Sequence, residues 1–312
     1  MPSNARQLPS DRVRTRRSSA ILVALTSVLV LAGCSVPAAT SSSSTPQASR
    51  PQPTATPTPD AVSSVTALAP ASGSVSGGTT LTLNGTGLAD VTEVTIGGVP
   101  ATDVVVVDDG TVTAVAPQAK DFQPTAAAVV VSAGGSVVEQ SPALSYSYAV
   151  ETGVDAQMQY ALAHWDTYNE AEWGNLNPVG GDCANFVSQT LIQRGWAQNA
   201  TWYNKNAAAD WSAAWGYAPA MNNWFASGNA PQMTRLSLDQ RDQVKVGDIG
   251  FFDWNLNNTP DHVMLVSSVR VVDGVTRIAF VSHNLDGDYR DLDSVITVEH
   301  PGGNAWFWSI PA

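Results

Sequence analysis

Between Ser63 and Tyr148 the chain repeats one texture, short runs of valine, threonine, isoleucine and alanine closed by glycine or small polar residues. Thr79–Leu83, Val91–Ile96, Val104–Val107 and Ala127–Val131 are too short for stable helices and are spaced as strands are in a two-layer β fold. The segment contains neither cysteine nor histidine, so it must close by burial alone and has no nucleophile or base of those types. From about Val154 the texture changes to aromatic-rich, helix-period sequence, then to a long hairpin. These shifts predict a multidomain chain: an all-β sandwich over 63–148, followed by an α+β domain over 153–312.

Ahead of the sandwich, Arg12, Arg14, Arg16 and Arg17 precede the apolar run Ala20–Leu31 and then Leu31-Ala32-Gly33-Cys34. That order is expected of an export signal over 1–33, and the apolar run is short for a bilayer span. The last four residues resemble a bacterial lipobox, which implies lipidation at Cys34 and a mature chain held on the outer leaflet of the cell membrane. Residues 34–62 are mostly serine, threonine, proline and alanine and are expected to be an extended tether. Removing 1–33 takes five of the 15 Lys and Arg and one of the 27 Asp and Glu, leaving a formal charge of −16. Such a chain does not bind nucleic acid or an anionic lipid surface through charge.

The chain has two cysteines, and with Cys34 assigned to the lipobox Cys183 has no partner for an intramolecular disulfide. An unpaired thiol on an exported protein implies deep burial or a chemical task. Cys183 follows Gly180-Gly181-Asp182, and apolar residues then recur at Val187 and Leu191 until Gly195, which predicts a helix that opens at the thiol. Unpaired N–H groups at a helix start favour a thiolate. Asp182 opposes this unless its carboxylate points away to cap the helix.

Downstream, His262–Val272 and Val275–His283 flank Asp273-Gly274, a strong two-residue hairpin signal. An uninterrupted register then pairs Met264 with His283 and Val263 with Asn284, so that His262 and His283 share one face. The cluster Asn284, Asp286, Asp288, Asp291 and Asp293 reads as a solvated loop, and neither a metal nor a cofactor is expected. Trp196, Trp202, Trp211, Trp215 and Trp224 are either core or the lining of a groove. His164 lies beside a helix face and is given no role.

Two resemblances organise these readings. Ala69–Gly73, Ser76–Thr79, Leu83–Leu88 and Val94–Gly98 resemble an IPT/TIG immunoglobulin-like domain, a binding or spacer module, here expected to be a spacer. Asp182–Gln189, Gly247–Phe252 and Asp261–Val266 are similar to the papain-like NlpC/CHAP clan, nearest to its putative amidase family. That likeness implies Cys183 as nucleophile, His262 as base and a polar third residue on the next strand, His283 by parity with Asn284 as the alternative. It implies hydrolysis of peptide amides, with peptidoglycan as the expected substrate, and Tyr168 or Asn177 as candidate oxyanion donors. A non-catalytic wall- or protein-binding module and an acyltransferase are the two other readings of the same residues.

Overall fold

The computed structural model describes residues 62–311; the expected leader, Cys34 and nearly all of the expected tether lie outside the described residues. Among the described residues no helix is long and apolar enough to cross a membrane. The β-prone runs form two packed sheets. One orders Glu139–Gln140, Ser64–Ala69, Thr80–Thr86, Thr111–Val115 and Thr102–Asp108. The other orders Ser72–Ser74, Ser145–Ala149, Thr125–Ala133, Val91–Ile96 and Val99–Pro100, with Ser136–Val137 beside the long strand. Period-two alternation sorts the side chains, with Leu81 and Leu83 buried from one sheet and Val94, Ile96, Val129 and Val131 from the other.

The second domain begins at Gly153–His164, a helix opened by a capping box in which Thr152 Oγ1 accepts from Asp155 N at 3.0 Å and Asp155 accepts from Thr152 N at 3.0 Å. The same carboxylate accepts from Ser74 Oγ at 2.8 Å and Ser76 Oγ at 2.5 Å in the sandwich, and it is fully buried. Burial works against its charge, yet donors from Ser76, Glu151, Ser74 and Thr152 hold Asp155 below the usual carboxylate range. One side chain thus starts the helix and fastens it to the preceding domain.

A six-stranded antiparallel sheet runs Thr234–Ser237, Asn304–Ser309, Ile249–Asp253, His262–Val272, Val275–Ser282 and Gly287–Asp291. Ile249, Phe251, Val263, Leu265, Val281, Trp306 and Trp308 join the core that includes the Cys183–Gln193 helix. Phe252, Met264, Val266, Phe280 and Phe307 fill a second core on the other face, with Leu292, Val295 and Ile296. Trp202 and Trp215 are fully buried and their indole N–H groups bond Ser188 Oγ at 3.1 Å and Asn185 Oδ1 at 2.7 Å, so these tryptophans are core.

Asp273 and Gly274 both have positive φ, 51° and 76°, the geometry of the expected two-residue turn. From Val272 opposite Val275 to Ser268 opposite Ala279 the pairing follows the predicted register, with Arg270 opposite Arg277 near the tip. It then changes. Ser267 is inserted as a bulge, and Val266 pairs with Phe280 and Leu265 with Val281. Ser267 is buried, its hydroxyl bonding Asp288 O at 2.8 Å, which gives the extra residue a partner off the ladder. One inserted residue reverses parity, so the expected shared face for His262 and His283 is corrected: the rings leave the sheet on opposite sides.

Candidate active site

Cys183 is the first residue of its helix, as its spacing predicts. At the other end Gly195, at φ 103°, lets Trp196 N bond Leu191 O at 3.0 Å and Gly195 N bond Ile192 O at 2.9 Å, the paired bonds of a Schellman stop. Every residue from Cys183 to Leu191 is buried, and Cys183 itself keeps 9% of its surface exposed. Burial pushes its thiol up to about 11, against the pull of the peptide N–H groups of Val263, Ala184 and Cys183, with the Asp182 charge adding to the rise. The helix start therefore does favour the anion, as anticipated, but desolvation is the larger effect, and the resting group is a thiol.

The N–H that approaches the sulfur belongs to Val263, the residue after His262. Cys183 and His262 are thus neighbours across one peptide, although no hydrogen bond joins their side chains. The His262 ring leaves on the second face, paired with Phe252, its centroid 6.4 Å from that ring and 6.2 Å from Trp254. It is 7% exposed, and its Nε2 is buried with no hydrogen-bond partner. Burial, with the charges of Arg290 and His300, pushes His262 down to about 3. An imidazole in that state is neutral near pH 7 and, while so buried, a weaker base than an exposed histidine.

His283 occupies the opposite face and is fully buried. Its Nδ1 lies 2.6 Å from Asp182 Oδ2, and its Nε2 lies 2.8 Å from His164 O. Both ring nitrogens are occupied, so His283 has none left for His262; the expectation that it orients His262 is corrected by the bulge at Ser267. Asn284, the alternative, has φ 61° and turns back toward the start of the Cys183 helix, where its Oδ1 accepts from Asp182 N and its Nδ2 donates to Asn177 Oδ1 at 2.7 Å. Neither residue is hydrogen-bonded to the His262 ring.

Asp182 does not cap the helix. Its Oδ1 accepts from Leu176 N at 2.7 Å and Asn185 Nδ2 at 2.9 Å, leaving Oδ2 to His283. Gly181, at φ 123°, stands where a Cβ would meet the Asn284 amide at 3.3 Å. Tyr168 stacks on His283 and donates its hydroxyl to Asp286 Oδ1 at 2.8 Å, while Asn177 Nδ2 lies 3.5 Å from that hydroxyl. These two oxyanion candidates are therefore engaged with each other and with neighbours.

This arrangement is an unpaired thiol at a buried helix start, against the strand that carries an unpartnered imidazole. Residues 152–308, half of the chain, match the family described as Putative amidase domain. The chain belongs to that family. Its amidase domain is of the amide-hydrolase type, and the sandwich before it, over residues 63–148, matches the IPT/TIG domain. No curated protein matches the chain. Among solved structures it is similar to the plexin A4 extracellular region, with 24% identity over 26% of this chain and 8% of that one, at a TM-score of 0.23. An auxiliary nutrient binding protein from Bacteroides ovatus has 21% identity over 30% and 21% of the two chains, at 0.19. SGBP-B of the Bacteroides ovatus mixed-linkage glucan utilization locus, solved with a mixed-linkage heptasaccharide, has 9% identity over 80% and 52%, at 0.24. This chain thus spans less than two thirds of each, and scores of this size leave the site to be read from its own residues.

Sequence reasoning missed the acceptor role of Asp182 and the ring stack around His283. One signal was available: Ser267-Ser268 interrupts an otherwise apolar strand, a place where alternation fails and a bulge fits.

Proposed function

We propose that the amidase domain is a cysteine amidase of the papain-like clan that hydrolyses peptide amides, with peptidoglycan stems as substrate, on a chain anchored by lipid at Cys34 outside the cell membrane. The observation that carries this reading is the Cys183 sulfur at a helix start beside the peptide that follows His262, within a chain of an amidase family. A thiol near 11 and an imidazole near 3 form a neutral pair at rest. Because the His262 ring rests on the opposite face of the sheet from Cys183, it turns about its side-chain bonds at the strand end to meet the sulfur as substrate enters, and proton transfer to it accompanies attack on the carbonyl carbon rather than preceding it. Backbone N–H at the helix start holds the developing oxyanion. The imidazolium gives its proton to the leaving amine as the C–N bond breaks, leaving a thioester. His262 next takes a proton from water as hydroxide adds to the thioester, then returns it to sulfur as the C–S bond breaks, re-forming the thiol and releasing a carboxylic acid that ionises in solvent.

Purified chain incubated with muropeptides is expected to release new amino groups, and Cys183→Ala is expected to release none. Equal digestion by both proteins overturns the cysteine assignment, and wild-type inactivity across cross-linked and uncross-linked stems overturns the substrate.

A further inference from the structure

We propose that Asp182 and His283 are a charged positioning pair for the nucleophile, in which a doubly protonated imidazole pins the carboxylate of the residue before Cys183. The inference rests on Cys183 being the amidase nucleophile, and it gives His283 a task other than orienting His262.

Hydrogen-bond inventory with an ionised Asp182 calls for the charge. The partners of His283 are the Asp182 carboxylate at 2.6 Å and the His164 carbonyl at 2.8 Å, and a ring that serves two such acceptors donates from both nitrogens. The ring is held from above and below as well. Tyr168 stacks on it with centroids 3.5 Å apart and planes 3° from parallel, and Phe186 stacks at 4.1 Å and 24°. The negative faces of two aromatic rings suit a cation between them. Asp182 is the charged side chain bonded to the ring, and Asp286 reaches the stack through the Tyr168 hydroxyl at 2.8 Å.

What this ring holds is the approach to Cys183. Gly180 and Gly181, at φ 130° and 123°, contribute no stiffness to the turn before the nucleophile. Stiffness comes from Asp182, whose Oδ1 joins Leu176 N to the Asn185 side chain and whose Oδ2 takes His283. Its N–H donates to Asn284 Oδ1, so consecutive residues at one strand end grip both the side chain and the backbone of residue 182. A sulfur set by such a grip affects the rate of attack more than the binding of substrate.

Two measurements on the full chain test the proposal. In wild-type protein labelled with ¹⁵N histidine, both nitrogens of His283 are expected to carry protons at neutral pH; a bare Nδ1, with the proton on Asp182, overturns the charged pair. In muropeptide turnover, His283→Gln and Asp182→Asn are each expected to lower kcat about 100-fold with KM within about threefold, and the double variant to fall no lower than the worse single. Multiplying losses, or a loss carried by KM, overturns the positioning role. The NMR measurement needs neither variant nor substrate, so wild-type inactivity would refute the amidase reading while the pair is judged on its spectrum.

Discussion

The protonation state of Cys183 is open to direct titration. Burial pushes the thiol to about 11, while an exposed cysteine titrates near ~8.5. At pH 7.5 the exposed group is about one tenth thiolate and Cys183 about one part in three thousand, a difference of roughly 300-fold. Because alkylating agents react with thiolate, the rate of iodoacetamide labelling at Cys183 should climb about tenfold per pH unit up to pH 10 and show no plateau near neutrality. Mass spectrometry of the Cys183 peptide across pH 6.5 to 10.5 reads this rate. Limited access to a thiol with 9% of its surface exposed lowers the whole curve without moving its midpoint, so the midpoint is the diagnostic quantity. The same peptide labelled in denaturant supplies the reference near ~8.5. A folded-state midpoint below pH 8 refutes the reasoning: the peptide N–H groups and His262 would then outweigh desolvation, and a thiolate–imidazolium pair would exist at rest.

His262 stays neutral in the fold down to about pH 3, whereas in the unfolded chain it protonates near 6.5, so unfolding takes up a proton between those values. Its contribution to stability is therefore full above pH 6.5 and lost as pH falls toward 3, by up to about 5 kcal/mol, and His262→Gln should flatten that part of a Tm-against-pH curve. Replacing both Ser74 and Ser76 by alanine removes two donors from the buried Asp155 carboxylate and should cost about 2–4 kcal/mol in urea unfolding; an unchanged midpoint would show that those bonds contribute nothing net.

The legible parts of this fold are those set by local chemistry. Gly180-Gly181 and Gly195 bracket the Cys183 helix because few other residues tolerate their φ values, and Asp273-Gly274 sets the hairpin tip because both positions require positive φ. Register at the far end was not legible by counting from the tip. Ser267 finds its partner on another strand, at Asp288 O, and its insertion reverses the face of every residue from Val266 back to His262. The Asp182–His283 contact spans 101 residues and depends on that reversal. His283 was preferred to Asn284 by parity counted from the tip, and the bulge sets it against Asp182 instead of His262.

Asp155 also bears on what counts as a module in this chain. The amidase match begins at residue 152, three residues before a carboxylate whose serine donors lie upstream at 74 and 76. A protein cut at that boundary keeps the whole recognised domain and exposes the interior of its first helix. The far end of that helix supplies the His164 carbonyl that His283 uses, so the loss would reach the surroundings of Cys183 through one helix. Sequence modularity and folding autonomy part company here: the immunoglobulin-like domain is portable as a pattern, while the catalytic domain after it has made its neighbour part of its own interior.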